Sequence, residues 1–204
     1  MSAARTAAVD EPHPLTGPAL VGAVLTRPSI DDAAAADLLT RHWGIEGTLR
    51  SLPSERDRNF AVMQGGAERY VLKVSNATED PAFLELQHEA LARLAAAGVP
   101  CQLPVPSSGG ADVVDAGEPG APRLVRLLTW LPGRPLATVP AEDRRPALFA
   151  DLGRVIGRTA EALRGFDHPA AHRPVQWSAE EALGVIAAHA PAVTDPAPGP
   201  PLRA

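Results

Sequence analysis

The sequence predicts an α+β domain, in which an antiparallel sheet of five strands carries one packed helix and is followed by a separate helical part. Three observations predict it. Two segments of strand-like alternation flank Gly65-Gly66, the signature of a tight β-hairpin. A helical period follows the third strand, opened by Asp80-Pro81 and closed by Gly98. Beyond Pro132-Gly133 no strand pattern returns, and the periodicity is helical to about residue 190.

The elements follow in order. Residues 1–28 are rich in Ala, Pro, Thr and Gly without a period and read as a disordered arm. Asp31 or Asp32 caps a helix that runs to Trp43, with Gly44 at the position of a C-terminal glycine cap. Five strands are expected over Ile45–Leu52, Arg58–Gln64, Arg69–Ser75, Asp112–Ala116 and Arg123–Leu131. In the third, Tyr70, Leu72 and Val74 share one face and Val71, Lys73 and Ser75 the other, so Lys73 points away from the apolar stripe. A helix over 80–97 carries Phe83, Leu86, Ala90, Leu94 and Ala97 on its apolar face, and Pro100–Gly110 reads as a proline-rich loop. A second long helix is expected over Glu142–Arg164, with Leu148, Leu152, Val155, Ile156, Thr159 and Leu163 on one side. A shorter one spans Ser178–His189 behind a Ser178/Glu181 capping box. The proline-rich tail 191–204 reads as disordered. The organisation is thus arm (1–28), sheet lobe (29–133), helical part (134–190) and tail (191–204).

Composition limits the function classes. The 204 residues are 45% apolar but only 4% aromatic, so the core is built from Ala, Leu and Val. A net charge of −5 argues against nucleic-acid or anionic-membrane surfaces. One cysteine, Cys101, excludes an internal disulfide framework and suits a reducing compartment. With no signal-like start and no apolar run of spanning length, a cytoplasmic protein is expected.

The residue that points to chemistry is Lys73, the one lysine beside eighteen arginines. An ammonium is a slim point charge on a flexible stem, whereas a guanidinium is a planar fork. A position that keeps Lys in a chain that otherwise uses Arg suits a head held between a phosphate and a carboxylate. Glu89 lies 16 residues later on the next helix. It can also pair with Arg93 at i+4 on a solvated face, and Glu85 is the rival partner for Lys73.

The order of strand lysine, helix glutamate and a final strand ending in Pro-Gly resembles the N-terminal lobe of protein-kinase-like enzymes. Ser54-Glu55-Arg56-Asp57-Arg58-Asn59-Phe60, the run Tyr70–Asn76 and the Leu127–Gly133 hinge resemble the aminoglycoside phosphotransferase and choline kinase superfamily. Within it, the hydroxylysine-kinase-like group is the most similar. The resemblance implies a kinase-like N-lobe followed by the first helices of an incomplete C-lobe. It implies that Lys73 binds the α- and β-phosphates of ATP (or GTP) and that Glu89 orients Lys73. The turn from Ser54 to Asn59 would cover the phosphates, the backbone of Thr129 and Leu131 would meet the adenine edge, and Leu128 would line the pocket behind it.

The same resemblance calls for a catalytic-loop Asp and Asn and for Mg²⁺ ligands. The chain's asparagines are Asn59 and Asn76, both ahead of the helical part, and Pro174 follows His172-Arg173 where an Asp is needed. The chain is therefore expected to stop before the catalytic loop and to lack the metal ligands. His168 and His172, broken up by prolines, read as surface loop. Two functions follow: an ATP-dependent kinase for a hydroxyl on an amine-bearing metabolite, present as its nucleotide lobe, or a non-catalytic nucleotide-binding module. Either is expected to associate through its exposed C-lobe helices.

Overall fold

The computed structural model describes residues 27–118, 121–172, 179 and 182–192. The arm over 1–26, the capping box at Ser178 and Glu181 and the tail from 193 lie outside the described residues. Leu25–His172 form one compact unit, and everything below except the last helix concerns it.

The first helix, α1 (Asp32–Trp43), starts where Asp31 Oδ1 accepts from the Ala34 N–H at 2.8 Å, and it ends at Gly44 with φ 64°. Strands β1 (Thr48–Leu52), β2 (Arg58–Gln64) and β3 (Ala67–Val74) form an antiparallel meander. Gly65 and Gly66 turn the hairpin with φ of 59° and 79°, which L-residues with a Cβ rarely adopt. Helix α2 (Pro81–Ala96) is capped by Asp80, whose carboxylate accepts from Ala82 N–H. Three further strands follow: β4 (Pro104–Val105), β5 (Val114–Asp115) and β6 (Leu124–Thr129). The sheet order is β1-β2-β3-β6-β4, with β5 also paired to β6.

The sheet therefore has six strands where five were expected. The extra one, β4, sits in the proline-rich stretch that reads as loop. Pro104 has no N–H to give to a ladder, so it is tolerated only at an edge, and β4 lies at the edge beside β6.

The two faces of the sheet differ. On one, Phe60, Val62, Leu72, Val74, Val125 and Leu127 pack against Leu38, Leu39 and Trp43 of α1. This is the apolar core, and it uses the stripe read from Tyr70, Leu72 and Val74. The other face carries Lys73 and is covered by α2. There the expected helix face is corrected. The α2 residues buried on the sheet are Leu84 and His88, not Phe83, Leu86, Ala90 and Leu94. Leu84 stands one residue, about 100°, round from Phe83. The polar His88 among the apolar positions hid the true seam.

Past β6 the chain makes two short 3-10 turns, Leu136–Thr138 and Ala141–Asp143, before α3 (Pro146–Ala162). This helix starts four residues later than expected because those turns and Pro146 take up its beginning. Arg158 of α3 donates to the carbonyls of Ala97 and Gly98 at the end of α2, at 3.1 and 2.8 Å. The apolar side of α3 is exposed, with Ile156 59% accessible. Helix α4 (Ala182–His189) belongs to a second unit. Among the described residues no helix is long and apolar enough to cross a membrane.

Candidate functional site

Strand register builds the site. Asn59 of β2 is the partner of Lys73 in β3, and Lys73 is the partner of Arg126 in β6. Directly opposed residues in an antiparallel sheet point to the same face. Asn59, Lys73 and Arg126 thus form one transverse row beneath α2. Ser75, two residues beyond Lys73, shares the face.

Lys73 is half-buried, and neither it nor Arg126 forms an ion pair among the described residues. Burial lowers the pKa of Lys73, the Arg126 guanidinium lowers it further, and the carboxylates of Asp57 and Glu79 act in the opposite sense. Arg126 is 3% exposed. Its burial works against its own charge, again with Asp57 and Glu79 in support. Arg126 Nη2 donates to Gln87 Oε1 at 2.7 Å, and Nη1 lies 3.4 Å from His88 Nε2. Nη1 can only donate, so Nε2 is the lone-pair nitrogen and the imidazole proton sits on Nδ1. Burial and then Arg126 hold the His88 pKa below its usual value, in keeping with that neutral ring.

Among the described residues, four buried side-chain polar atoms have no partner: Arg56 Nε, Asn59 Oδ1, Ser75 Oγ and Arg126 Nε. Three of these belong to the row or to its neighbour Ser75. Buried polar groups in folded proteins are almost always satisfied, so three unsatisfied atoms close together call for a partner, whether a water, an ion or a ligand.

The Ser54-to-Asp57 turn approaches this row from β1. Ser54 Oγ accepts from the Asp57 N–H at 3.2 Å and closes the turn. Asp57 Oδ1 accepts from both the N–H and the Nδ2 of Asn76, each at 3.1 Å. Asn76 Oδ1 in turn accepts from the Thr78 N–H and hydroxyl. The turn is therefore latched to the exit of β3, just past Lys73. Asn59 is not part of it; it lies inside β2, beside Lys73.

Among the described residues, Glu89 takes neither the expected partner, Lys73, nor the alternative one, Arg93, whose guanidinium stacks on Phe166 at 4.9 Å from the ring centre. The reason is helical phase. Gln87 is the α2 residue that reaches Arg126, and Glu89 follows it by two positions, about 200° round. Glu89 and its rival Glu85 instead line a cavity of about 740 Å³ with Ala92, Pro104 and Asp112, and Lys73 does not border it.

At the hinge, Thr129 is already engaged. Its N–H donates to Leu103 O at 2.8 Å, its Oγ1 accepts from the Leu103 N–H at 2.9 Å, and its carbonyl accepts from Gln102 at 3.2 Å. The Thr129 N–H is thus not available to an adenine edge, and its carbonyl keeps one lone pair. The Leu131 N–H and carbonyl meet no hydrogen-bonding partner among the described residues. Leu128 is buried on the face of Lys73, two residues from Arg126. His168 and His172 are loop residues: His168 Nδ1 accepts from Ala170 N–H, and His172 pairs with Asp167 at the surface.

Sequence reasoning missed Arg126, Gln87 and His88. The signal was present in Leu124-Val-Arg-Leu-Leu128, where one arginine interrupts a run apolar on both faces. A charge inside a doubly buried strand needs a reason.

Comparison with known proteins places the chain in a family. The model of the phosphotransferase enzyme family (APH) matches residues 48–199. Bovine hydroxylysine kinase is 33% identical over 159 residues, which are 71% of this chain and 42% of the relative. The mouse hydroxylysine kinase is 32% identical over 157 residues, 70% of this chain and 41% of the relative. Among solved structures, an amicoumacin kinase in complex with AMP-PNP, Ca²⁺ and Ami superposes with a TM-score of 0.62 at 19% identity, over 76% of this chain and 46% of the other. A microcompartment-associated aminopropanol kinase superposes at 0.57 with 23% identity, over 75% and 47%. These two likenesses show the fold, and the chain spans less than half the length of the relatives it matches. With the family model covering most of its residues, the chain belongs to the phosphotransferase enzyme family.

Proposed function

We propose that this chain carries the nucleotide-binding part of a small-molecule kinase. In that reading, Lys73 binds the α- and β-phosphates of ATP (or GTP), and the γ-phosphoryl group goes to a hydroxyl of an amine-bearing metabolite such as hydroxylysine or an aminoglycoside. The observation that carries the proposal is the row of Asn59, Lys73 and Arg126, in which two unpaired cations and unsatisfied buried polar atoms face one way.

The chemistry of the row suits a polyphosphate. Phosphate oxygens accept strong charge-assisted hydrogen bonds from an ammonium. The turn from Ser54 to Asp57, latched through Asn76, closes over the same region as a cover. Leu131 offers open backbone groups for a base edge, and Leu128 gives an apolar surface behind it. Mg²⁺, when bound with the nucleotide, neutralises developing charge on the transferring phosphoryl group. None of the residues assigned here is a metal ligand or the catalytic base. Transfer itself therefore requires groups beyond this row, and a free Cys101 fits a reducing cytoplasm as its setting.

Titration calorimetry of the full chain with ATP tests the proposal. Lys73→Ala removes one charge-assisted contact of about 1.5–3 kcal/mol, so ATP should bind about 10- to 100-fold more weakly. Wild-type binding without turnover would mark a nucleotide-binding module that does no transfer alone. Absence of wild-type binding, or equal binding by Lys73→Ala, would overturn the reading.

A further inference from the structure

We propose that Arg126 is a positioning residue of the phosphate site: buried behind Lys73, it fixes α2 through Gln87 and adds a second positive charge to the field that a polyphosphate meets. The proposal rests on the nucleotide reading above and deepens it.

The geometry is unusual for a structural arginine. Arg126 is 3% exposed, and its register partner on β3 is another cation. A buried guanidinium that only stabilises a fold is normally matched by a carboxylate, because an unmatched buried charge costs several kcal/mol. Here the direct acceptors are the neutral amide of Gln87 and the neutral ring of His88. The acidic groups acting on Lys73 and Arg126, Asp57 before β2 and Glu79 before α2, form no ion pair with either. Arg126 Nε has no hydrogen-bond partner among the described residues. The sheet thus holds two like charges side by side under a helix that offers only neutral acceptors. That arrangement disfavours the unliganded state and favours any anion placed at the open end of the row, where Lys73 stands.

Arg126 is too buried to bind a ligand broadly. It acts through Lys73 and through α2. Its hydrogen bond to Gln87 performs the tethering that a Lys73–Glu89 pair was expected to perform, and no carboxylate among the described residues stands in ion-pair contact with Lys73. The Lys73 ammonium is then available to phosphate oxygens without first breaking an ion pair.

The test uses the full chain and calorimetry with ATP, ADP, AMP, adenosine and inorganic tripolyphosphate. Arg126→Gln should weaken ATP and tripolyphosphate about tenfold or more, AMP less, and adenosine not at all, since the attraction of a buried guanidinium for an anion scales with the anion's charge. The alkaline limb gives a second readout. Phosphate binding needs protonated Lys73, so affinity falls as pH rises through its lowered pKa. The groups acting on Lys73 are Arg126 of β6, Asp57 and Glu79, and α2 adds only Gln87 and the neutral His88. Removing the Arg126 charge moves that limb to higher pH. A role confined to holding α2 would weaken all five ligands alike and leave the limb in place, and that result would overturn the proposal.

Gln87→Glu serves where Arg126→Gln fails to fold. It gives Arg126 an isosteric carboxylate, so the fold should be as stable or more so while tripolyphosphate and ATP bind more weakly. Wild-type affinity in Gln87→Glu would overturn the proposal. Should Lys73→Ala lose ATP while Arg126→Gln and Gln87→Glu keep it, this inference falls and the nucleotide reading stands. Should wild type bind no nucleotide, both fall.

Discussion

Asp57 is the joint between the turn and the sheet, and its removal has a cost that can be worked from the structure. Its Oδ1 accepts two hydrogen bonds, from the N–H and Nδ2 of Asn76, each at 3.1 Å. Asn76 is 4% exposed, so no water replaces the lost acceptor. A hydrogen bond to a charged group contributes about 1.5–3 kcal/mol, and these are long enough to sit at the low end, giving about 3 kcal/mol for the two. Asp57 also supports the charges of Lys73 and Arg126, which raises the total for Asp57→Ala to about 3–4 kcal/mol. For a domain of this size that is a fall in Tm of about 6–16 °C. Asp57→Asn keeps an acceptor of the same shape and loses only the charge, so about 1 kcal/mol is expected. Urea unfolding followed by circular dichroism, with m unchanged, measures both. An Asp57→Ala protein within about 0.5 kcal/mol of wild type would refute the latch. An Asn variant as unstable as the Ala variant would show that charge alone, not the two hydrogen bonds, holds the turn.

Two further outcomes follow from the same coordinates. Leu72 is fully buried between β3 and α1, so Leu72→Ala should cost about 2–5 kcal/mol in urea unfolding, whereas Leu152→Ala on the exposed side of α3 should cost well under that. His88 is held below its ordinary pKa by burial, so the unfolded chain binds more protons than the folded one once pH drops below about 6.5. Stability is then fully present above that pH and falls as pH goes down through the folded pKa; His88→Gln should flatten this part of the stability–pH curve, and an unchanged slope would exclude the ring as its source.

How much was legible in the sequence depends on how local the cause is. Asp31, Gly44, Gly65-Gly66 and Asp80-Pro81 act within a few residues, and the caps and turns they encode stand where they were read. Strand alternation also survived, since Tyr70, Leu72 and Val74 do face away from Lys73. What failed was long-range. Whether Pro104 joins a sheet depends on β6, more than twenty residues away. The phase of α2 depends on Arg126, 38 residues beyond His88, because a buried guanidinium draws Gln87 and His88 down onto the sheet. The rarity of Lys73 marks it in the sequence, but the order of the elements points only to the helix that faces it, and order does not fix the rotation of a helix.

The arrangement around Lys73 is costly for the empty protein, and that cost is itself informative. The two neighbouring cations repel and each loses hydration on burial, and the carboxylates of Asp57 and Glu79 offset only part of this. Replacing Arg126 with leucine would remove the repulsion and the guanidinium's own desolvation and extend the apolar run Leu124–Leu128 unbroken. A fold selected only for stability would take that route, since sequences tend to break their own local rules where function demands it. The unsatisfied Asn59 Oδ1, Ser75 Oγ and Arg126 Nε add to the same deficit. Among the described residues, three of the four unsatisfied buried side-chain atoms gather at this row and its neighbour Ser75, with Arg56 Nε the fourth. A polyanion at that row would answer the charges and bring its own hydrogen-bonding oxygens, which is the physical ground on which we propose a phosphate site there.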